Sequence, residues 1–539
     1  MEILGVESHM NHMNVPLSHY YGVTYSESDN ATTGLEVTIS LSGNKSTTLA
    51  TSRVRLNTTG NEIPFSLTDI KPRMSPYSIT LTVSSPGDKQ VYTSTTQLSY
   101  LPNPVSGSVT KIDNLYQGLS VAKASDLTQW IQLFPYGWYA DSSLVNDTTN
   151  ADTFLAAGYN FIHFVPDDSK PLEPFTKPDF NLFLDRMDEI GLYLIYDMRG
   201  TYQNSTLLNS QVSQYKNRTC LLMWYTADEP DGWSYPLNST QLAYSQIKTL
   251  DPYHPVSLVL NCIDFYYESY SLGADILLED AYPISINATW STQFNTPCTW
   301  DYGDCGCDGC IGSITDVSTR IDILRSYQAY YNQRKPIYAV PQGFGNETYW
   351  TRYPSSAEEI AMQQLALNHH AMGISTWIYP SDTELNEVTS SYAKSITHGT
   401  APTFLLNTLP IPLTAQISNH TTGTNRKSLL SFPNTTNTTT NALDISIWLL
   451  PPPPSQNTTT IPPSKIMLSL INLSYNTITE PITINLPTHV ETIKETIWGN
   501  ETGWELRYRH HGNEVGDVFV FLWKGDGLKG LEVGVFVLE

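Results

Sequence analysis

Eight short apolar segments alternate with helical stretches between residues 130 and 379, and this alternation restricts the possible folds more than any other feature. Strands that are joined through helices run parallel to one another. Eight such units over about 260 residues match the count and length of a (β/α)8 barrel. The candidate strands are 130–139, 160–165, 192–198, 221–227, 255–261, 275–282, 336–344 and 373–379.

Two of the intervening segments carry clear helix signals. In "PDFNLFLDRMDEIG" the apolar residues recur at spacings of three and four, and the pattern predicts an end at Gly191. "SAEEIAMQQLALNHHAMG" has acids in its first turn and is predicted to end at Gly373. A doubly wound open sheet is the competing fold, but it usually carries a glycine-rich nucleotide turn, and the sequence has none.

Strand patterns without helices flank this central region. Residues 15 to about 104 include "LEVTISLS" and "YSITLTVSS", in which apolar and polar residues alternate. After residue 403 come "DISIWLL", "KIMLSLINLS", "PITINLP", "VETIKETIW" and "DVFVFLW", separated by low-complexity segments rich in Asn, Thr and Pro. We therefore expect an α/β chain of three domains: an N-terminal antiparallel β-sandwich with its linker (1–118), a (β/α)8 barrel (119–402) and a C-terminal antiparallel β-sandwich (403–539).

The charge balance argues against some classes of partner. The chain carries 29 basic and 52 acidic residues, a net charge of −23. Such a charge disfavours nucleic acid or an anionic membrane surface as the main partner. No apolar run reaches the roughly 18 residues of a membrane span.

Glycosylation sequons point to the secretory pathway. The pattern N-x-S/T occurs about fifteen times, for example at Asn204, Asn287, Asn346 and Asn500. The stretch "MEILGVESHMNHMNVPL" has neither the basic nor the apolar region of a signal peptide. We therefore expect an extracellular or cell-wall glycoprotein whose signal peptide is missing from this sequence. The alternative is that the chain is not secreted.

Four of the six cysteines cluster in "CTWDYGDCGCDGC", which spans Cys298 to Cys310. Zinc sites usually repeat C-x2-C at a distance, whereas this spacing is compressed and broken by glycines. We expect disulfides here and no bound metal. Three pairings of the four cysteines remain open. The other two cysteines, Cys220 and Cys262, are predicted at opposite ends of neighbouring strands and hence unbonded to each other.

Adjacent acids follow the fourth candidate strand in "LLMWYTADEP". In a barrel of this kind, functional residues collect at the carboxyl ends of the strands. Pro230 disfavours helical geometry at Glu229 and ends the strand there. The pattern places Asp228 and Glu229 on the catalytic rim. The alternative role for this pair is to cap the next helix or to neutralise an arginine.

The central segment resembles clan A glycoside hydrolases over about 260 residues. "FPYGWY" is similar to that family's first strand, and "LLMWYTADEP" to its fourth. The resemblance implies that Glu229 is the general acid/base. Asp228 stands where the family usually has an asparagine that binds the sugar's 2-hydroxyl. "EDAYP" is similar to the sixth strand, with Tyr282 as a site tyrosine, and "STWIYP" to the eighth, with Trp377 beneath the sugar.

The seventh strand departs from that family's pattern. It ends in "VPQGFG", so that Gln342 falls at or near the position of the family's nucleophilic glutamate. An amide cannot act as that nucleophile, and Gln342 is expected to bond a substrate hydroxyl instead. Asp280, beside Tyr282, is the favoured second carboxylate. The other candidates are Glu279, Asp197, Asp167 and Glu347.

Aromatic residues gather at the predicted strand ends, where sugar C–H faces stack on rings. Trp233 and Trp377 are expected to position the sugar, and Trp138, Tyr139, Phe344 and Trp350 are further candidates. Core packing is the alternative role for Tyr139 and Phe344. The histidines show no zinc-protease spacing, and no G-x-S-x-G occurs.

These observations predict a secreted glycoside hydrolase that acts on an oligo- or polysaccharide, with no cofactor and a monomeric state. Glu229 would protonate the leaving oxygen, with its pKa raised by burial, and Asp280 would be nucleophile or base. The alternative is a glycan-binding or cell-wall protein that retains the barrel without activity. A purely structural surface glycoprotein is a third hypothesis.

Overall fold

The computed structural model divides into two compact units, Met1–Pro104 and Val105–Glu539. The three-domain boundaries that the sequence suggested remain a prediction. The residues that the structure describes are 34–42, 47–55, 61, 63–85, 90–261, 264–291, 295–298, 305–307, 309–417, 442–450, 465–509, 518–523 and 525–539.

The second unit contains a closed barrel of eight parallel strands, which confirms the predicted (β/α)8 fold. Its strands, in chain order and called barrel strands 1 to 8 below, are Tyr136–Ala140, Phe161–Phe164, Tyr193–Asp197, Leu221–Asp228, Val256–Leu260, Ile276–Glu279, Ile337–Ala339 and Ala371–Tyr379. Each strand pairs with the next, and strand 8 pairs with strand 1. The strands are almost wholly buried because helices cover their outer faces.

The apolar run 130–139 is not one strand, as the sequence had suggested. Ile131–Leu133 pairs with Leu119–Lys123, which in turn pairs with Ser108–Ile112 in a small antiparallel sheet. Barrel strand 1 begins only at Tyr136. Pro135 lies between the two segments and, having no backbone N–H, cannot continue a ladder of hydrogen bonds.

A helix follows each barrel strand in the part of the chain that the structure describes. The helices are Thr149–Ala156, Pro178–Ile190, Ser205–Tyr215, Ser239–Leu250, Tyr267–Ser271, Asp316–Tyr330, Ser356–Asn368 and Thr383–Thr397, with Ala401–Asn407 after the last. None of the described helices is long and apolar enough to cross a membrane.

One predicted helix end is confirmed and the other is wrong. Gly191 caps its helix in the left-handed conformation, with φ of 79°. The helix that was expected to reach Gly373 ends at Asn368, and Gly373 lies inside barrel strand 8. A Cβ on Gly373 would come within 2.9 Å of the Tyr338 ring, so the residue serves close packing between strands and not a cap.

Antiparallel sheets make up the rest of the described chain. In the first unit Leu35–Leu41, Thr47–Val54, Tyr77–Ser84 and Val91–Leu98 form a single four-stranded sheet. The second layer of the predicted N-terminal sandwich is not among the described residues. The C-terminal region has two sheets: one of Ile411–Pro412, Leu443–Leu450, Lys465–Asn472, Val533–Leu538 and Ile493–Trp498, and one of Ala415–Ile417, Ile482–Leu486, Val518–Trp523 and Trp504–Arg509. The low-complexity segments lie outside the described residues.

The helix Ser356–Asn368 joins the barrel to the five-stranded sheet. It contacts both barrel strand 8 and three strands of that sheet, and nearly all of its residues are buried. At its end Asn368 donates to Asp444 at 2.6 Å, and the His369 ring contacts Asp444 at 3.1 Å and Asp322 at 2.9 Å. Burial alone would lower the pKa of His369, but the hydrogen bonds to the two carboxylates outweigh it and raise the pKa to about 9.

We expect this histidine to make stability depend on pH. Because its folded-state pKa lies above the unfolded value of 6.5, protonated His369 stabilises the fold below that pH, and the contribution is lost as pH rises through about 9. His369→Gln should lower the free energy of unfolding at pH 6 by roughly 1.5–3 kcal/mol, as for hydrogen bonds to charged groups, and by much less at pH 10. Chemical denaturation at both pH values measures this, with the exposed His398→Gln as control. An equal loss at the two pH values would contradict the assignment.

Candidate functional site

Two carboxyl groups stand directly beyond barrel strands 4 and 6. Glu229 follows strand 4 in a left-handed conformation with φ of 46°, not in the helical region that Pro230 disfavours. Its backbone N–H donates to Val259 O at 3.2 Å, which ties this turn to strand 5. Asp280 follows strand 6. Parallel strands of a barrel direct their carboxyl ends to one rim, and this brings the two acids together.

The side chains of Glu229 and Asp280 are hydrogen-bonded to each other. Burial raises the pKa of Asp280 well above its usual range, and the nearby carboxylates Glu279, Asp228 and Asp231 raise it further. The hydrogen bond with Glu229 acts in the opposite direction because it stabilises charged Asp280. The raised pKa of Asp280 favours retention of a proton by this pair of acids.

An arginine holds Asp228 in place on the same rim. Arg199 Nη1 donates to Asp228 Oδ2 at 2.8 Å, and Tyr225 OH donates to Asp228 Oδ1. Arg199 also contacts Asp197, whose carboxylate bonds the buried His163 ring at 2.8 Å. His163, Asp197, Arg199 and Asp228 thus form a row of alternating basic and acidic side chains in which each charged group has a partner.

An arginine partner for the acids after strand 4 was the alternative role raised from the sequence, but neither Arg199 itself nor the links through Asp197 and His163 were predicted, although one signal for them was present. Arg199 comes two residues after the end of barrel strand 3 and therefore lies on the same rim as the acids of strand 4. Its guanidinium also lies 5.3 Å from the Trp377 ring and 5.6 Å from the Tyr139 ring. Arg199 therefore fixes both an acid and an aromatic wall of the site.

The acids open into a cavity of about 260 Å³ with aromatic walls. The predicted site residues Asp228, Glu229, Trp233, Asp280, Tyr282 and Trp377 all line it, together with Tyr139, Gly306, Phe344, Glu347, Thr348, Tyr349 and Trp350. Trp233 is 41% exposed, which leaves its ring free to contact a ligand. Trp138, by contrast, is fully buried in the core.

Gln342 differs from its expected role. Its side chain is fully buried and does not line the cavity. Its Nε2 donates to the carbonyls of Ile284 and Phe344 at 3.1 and 3.2 Å, and its Oε1 accepts from Ile284 N at 2.8 Å. Both amide protons are used by the main chain, so Gln342 braces the loops after strands 6 and 7 and has no N–H to donate to a sugar hydroxyl.

The other candidates for the second carboxylate are spread over different environments. Glu279 is buried, and burial raises its pKa to about 7 despite the opposing charge of Arg320. Asp197 is held by His163 and Arg199. Asp167 lies in an exposed turn that it caps through Ser169. Glu347 lines the cavity at its exposed edge. Asp280 is therefore the candidate in direct contact with Glu229.

The cysteine cluster forms one side of this site. Cys298 pairs with Cys305 and Cys307 with Cys310, so the predicted disulfides are present. Cys307 Sγ also accepts a hydrogen bond from the Tyr282 N–H at 3.1 Å. Cys220 is free and buried, and Cys262 lies outside the described residues. Within the described ranges, no cluster of three or more His, Cys, Asp or Glu side chains is arranged to hold a metal ion.

A second cavity of about 530 Å³ adjoins the first. It is lined by Arg199, Gly200, Gln203, Asn204, Ser205 and Tyr235. The Arg199–Asp228 ion pair separates the two, since Arg199 lines one cavity and Asp228 the other.

No protein-family model and no curated protein matches this sequence. Solved structures with similar chains include a family 39 glycoside hydrolase from the gut symbiont Bacteroides cellulosilyticus WH2, at 12% identity and a TM-score of 0.42 over 94% of this chain and 95% of that one. A β-galacturonidase from Eisenbergiella tayi bound to galacturonate has 15% identity and a TM-score of 0.34 over 68% of each chain. A β-D-glucuronidase of Dictyoglomus thermophilum has 12% identity and a TM-score of 0.32, over 64% of this chain and 58% of that one. At these scores the likeness assigns neither a family nor an activity.

The bracing role of Gln342 leads to a test. Gln342→Glu replaces an amide that donates to two buried carbonyls by a group that donates to one at most. We expect a loss of at least about 2 kcal/mol in the free energy of unfolding, the cost of an unsatisfied buried polar group, and no gain of glycoside cleavage. Denaturant titration measures the loss, with the exposed Gln241→Glu as matched control. A variant as stable as the wild type would show that position 342 reaches the cavity.

Proposed function

We propose that this chain is a glycoside hydrolase that cleaves O-glycosidic bonds of an oligo- or polysaccharide, with Glu229 as general acid and Asp280 as the second carboxylate. The observation that carries the proposal is the hydrogen-bonded pair Glu229–Asp280, which lies just beyond strands 4 and 6 in a cavity with aromatic walls, where burial raises the pKa of Asp280. Glycoside cleavage by two carboxyl groups requires one of them to hold a proton while the other is charged.

The hydrogen-bond pattern supports this division of roles. Burial raises the pKa of Asp280, but the hydrogen bond with Glu229 stabilises charged Asp280, and on this basis we assign the proton to Glu229. Asn261 Nδ2 also contacts Glu229 Oε2 at 3.2 Å and orients the carboxyl group. The leaving glycosidic oxygen would take the place of Asp280 as acceptor of the Glu229 proton.

The pair has to separate when a substrate binds. Retaining hydrolases hold their two carboxyl groups about 5 Å apart, and inverting ones about 6.5–9.5 Å. Carboxyl groups in hydrogen-bond contact are closer than either arrangement. Insertion of the glycosidic oxygen and the anomeric carbon between them breaks the hydrogen bond and frees the proton for transfer.

The lining also supports a substrate without a carboxylate. Four acidic side chains line the cavity, and none of the described residues along its wall is Lys, Arg or His. The nearest arginine, Arg199, already pairs with Asp197 and Asp228. A uronate would be repelled by these acids and would find no free cationic partner among the described lining residues, whereas a neutral sugar would not be repelled. Trp377, Trp233 and Tyr282 would supply ring faces for sugar C–H groups.

The proposal also covers the cell compartment and the oligomeric state of the protein. The two cystines support an oxidising compartment, such as the extracellular space or the cell wall. We propose a secreted glycoprotein that acts as a monomer without cofactor, with a catalytic barrel at 119–402 between the domains at 1–118 and 403–539. Carbohydrate is its partner, with neither nucleic acid nor membrane involved.

One observation favours a second function, that of a glycan-binding barrel without activity. Position 342, at the end of the strand 7 segment, carries an amide that is buried and bound to the main chain. The two functions differ in whether Glu229 and Asp280 complete a reaction or only bind hydroxyl groups.

Reducing-sugar release from a panel of fungal and plant cell-wall glycans separates the two functions. Glu229→Gln keeps the shape of the side chain and removes its proton, so turnover on the cleaved glycan should fall about 10²–10⁴-fold, the usual contribution of a general acid. A nitrophenyl glycoside needs less protonation and should lose less. Asp167→Asn, an exposed acid outside the cavity, is the control. No release from any glycan by the wild type, with binding retained on a glycan array, would establish the second function instead.

The raised pKa of Asp280 predicts how kcat/KM rises with pH on the acidic side of its pH profile. Asp280 has to be ionised for activity, and burial keeps it protonated to higher pH than an ordinary aspartate, so the rise of kcat/KM with pH is displaced upward. Asp228→Asn removes a neighbouring negative charge and should move that rise to lower pH by about one unit. Asp167→Asn should leave it unchanged. A shift to higher pH in Asp228→Asn would rule out Asp280 as the titrating group.

A further inference from the structure

A glycosylation sequon lies in the wall of the candidate active site. The loop after barrel strand 7 contains Asn346-Glu347-Thr348, which has the N-x-T pattern. Glu347 and Thr348, the second and third residues of the sequon, both line the aromatic cavity. Consecutive Cα atoms are about 3.8 Å apart, so the acceptor asparagine is within one residue of the cavity wall.

The asparagine itself is accessible. Asn346 is exposed and has a left-handed backbone with φ of 60°, which is typical of a turn. Its side chain makes no hydrogen bond to any residue that the structure describes. The amide Nδ2 is therefore not held by the fold and faces no competing partner within the described chain.

The loop that carries Asn346 is fastened to the cavity wall. Glu347 and Trp350 exchange backbone hydrogen bonds at 3.0 and 2.7 Å, and Trp350 Nε1 donates to Tyr282 O at 2.8 Å. Asn287 N donates to Tyr349 O at 2.7 Å, which joins the loop to the segment after strand 6. A group attached at Asn346 is thus fixed at the edge of the cavity.

The neighbouring cystines fit the compartment in which this modification occurs. Gly306, between Cys305 and Cys307, lines the same cavity, and both of these cysteines are in disulfides. Stable disulfides form in the oxidising secretory pathway, where asparagine sequons are also modified. The disulfides and the sequon are independent features of the sequence, and both lie on one side of the cavity.

We propose that Asn346 carries an N-linked glycan that stands at the mouth of the cavity and limits entry to short glycans and chain ends. The donor is a lipid-linked oligosaccharide. Asn346 Nδ2 loses one proton and bonds to the anomeric carbon of the donor. The bond from that carbon to the pyrophosphate oxygen breaks, and the pyrophosphate lipid leaves with its electron pair.

The modification does not depend on the activity, but its effect on entry rests on the proposed hydrolase function. A polymer that binds through its interior has to extend on both sides of the cavity and would meet the attached glycan. A short aryl glycoside ends inside the cavity and would not. The glycan at Asn346 would therefore favour cleavage near chain ends over internal cleavage.

The first experiment tests the modification alone. The full chain, secreted with a supplied leader from a eukaryotic host, is digested, and its glycopeptides are measured by mass spectrometry. We expect the Asn346 peptide to carry glycan mass and to convert to Asp on enzymatic glycan removal. The exposed Asn500 sequon serves as a reference site. An Asn346 peptide without glycan overturns the inference, whether or not Asn500 is modified.

The second experiment tests the effect on entry. Native protein is compared with protein trimmed by an endoglycosidase, and with Asn346→Asp, which tolerates the left-handed backbone. kcat/KM on the cleaved polymer should rise about tenfold, which corresponds to roughly 1.4 kcal/mol, while a short aryl glycoside should change little. Asn500→Gln should change neither. Equal rates on the polymer before and after trimming would refute gating by the glycan. If no glycoside is cleaved, the proposed function fails, and retention of the polymer on the trimmed and native proteins still tests entry.

Discussion

Closure of the barrel between strand 8, Ala371–Tyr379, and strand 1, Tyr136–Ala140, is the constraint on which the site depends. Once the sheet is closed, all eight carboxyl ends meet at one rim. Side chains that are far apart in sequence then become neighbours. The ring centroids of Trp377 and Tyr139 lie 5.0 Å apart where strands 8 and 1 meet. Glu229, after strand 4, contacts Asp280, after strand 6. The helix Ser356–Asn368 supports strand 8 from outside by packing against the C-terminal sheet.

The chemistry proposed for the rim follows from burial. Burial disfavours charge on every carboxyl group of the site and raises the pKa of Asp280, so we propose that the Glu229–Asp280 pair retains a proton. Asp228 remains beside them because Arg199 supplies a positive charge at 2.8 Å. In this account Asp228 belongs to an ion pair with Arg199, whereas Glu229 shares a proton with Asp280. The adjacent acids Asp228 and Glu229 therefore differ in protonation state. This difference is what acid catalysis by two carboxyl groups requires.

Sequence patterns within a single segment were sufficient to predict those parts of the site that the segment forms by itself. The apolar run before Asp228 and the proline after Glu229 predicted the end of strand 4, and Asp280 was favoured because it lies beside Tyr282. Contacts between segments were not predictable in this way. Gln342 has an ordinary rim position in the sequence, but strand 7 is only Ile337–Ala339, and the chain beyond it turns the amide toward Ile284 O. Arg199 has its role only because an acid of another strand is beside it.

Counting the protons on the Glu229–Asp280 pair tests the central claim most directly. Infrared difference spectroscopy detects the C=O stretch of a protonated carboxyl group, which a carboxylate lacks. Spectra of the wild type, Glu229→Gln and Asp280→Asn at the pH of highest activity assign that band. We predict one protonated carboxyl group in the wild type, with a band that disappears in Glu229→Gln and shifts in Asp280→Asn as its partner changes. A wild-type spectrum with no such band, or one unaffected by both substitutions, would contradict a shared proton at this site.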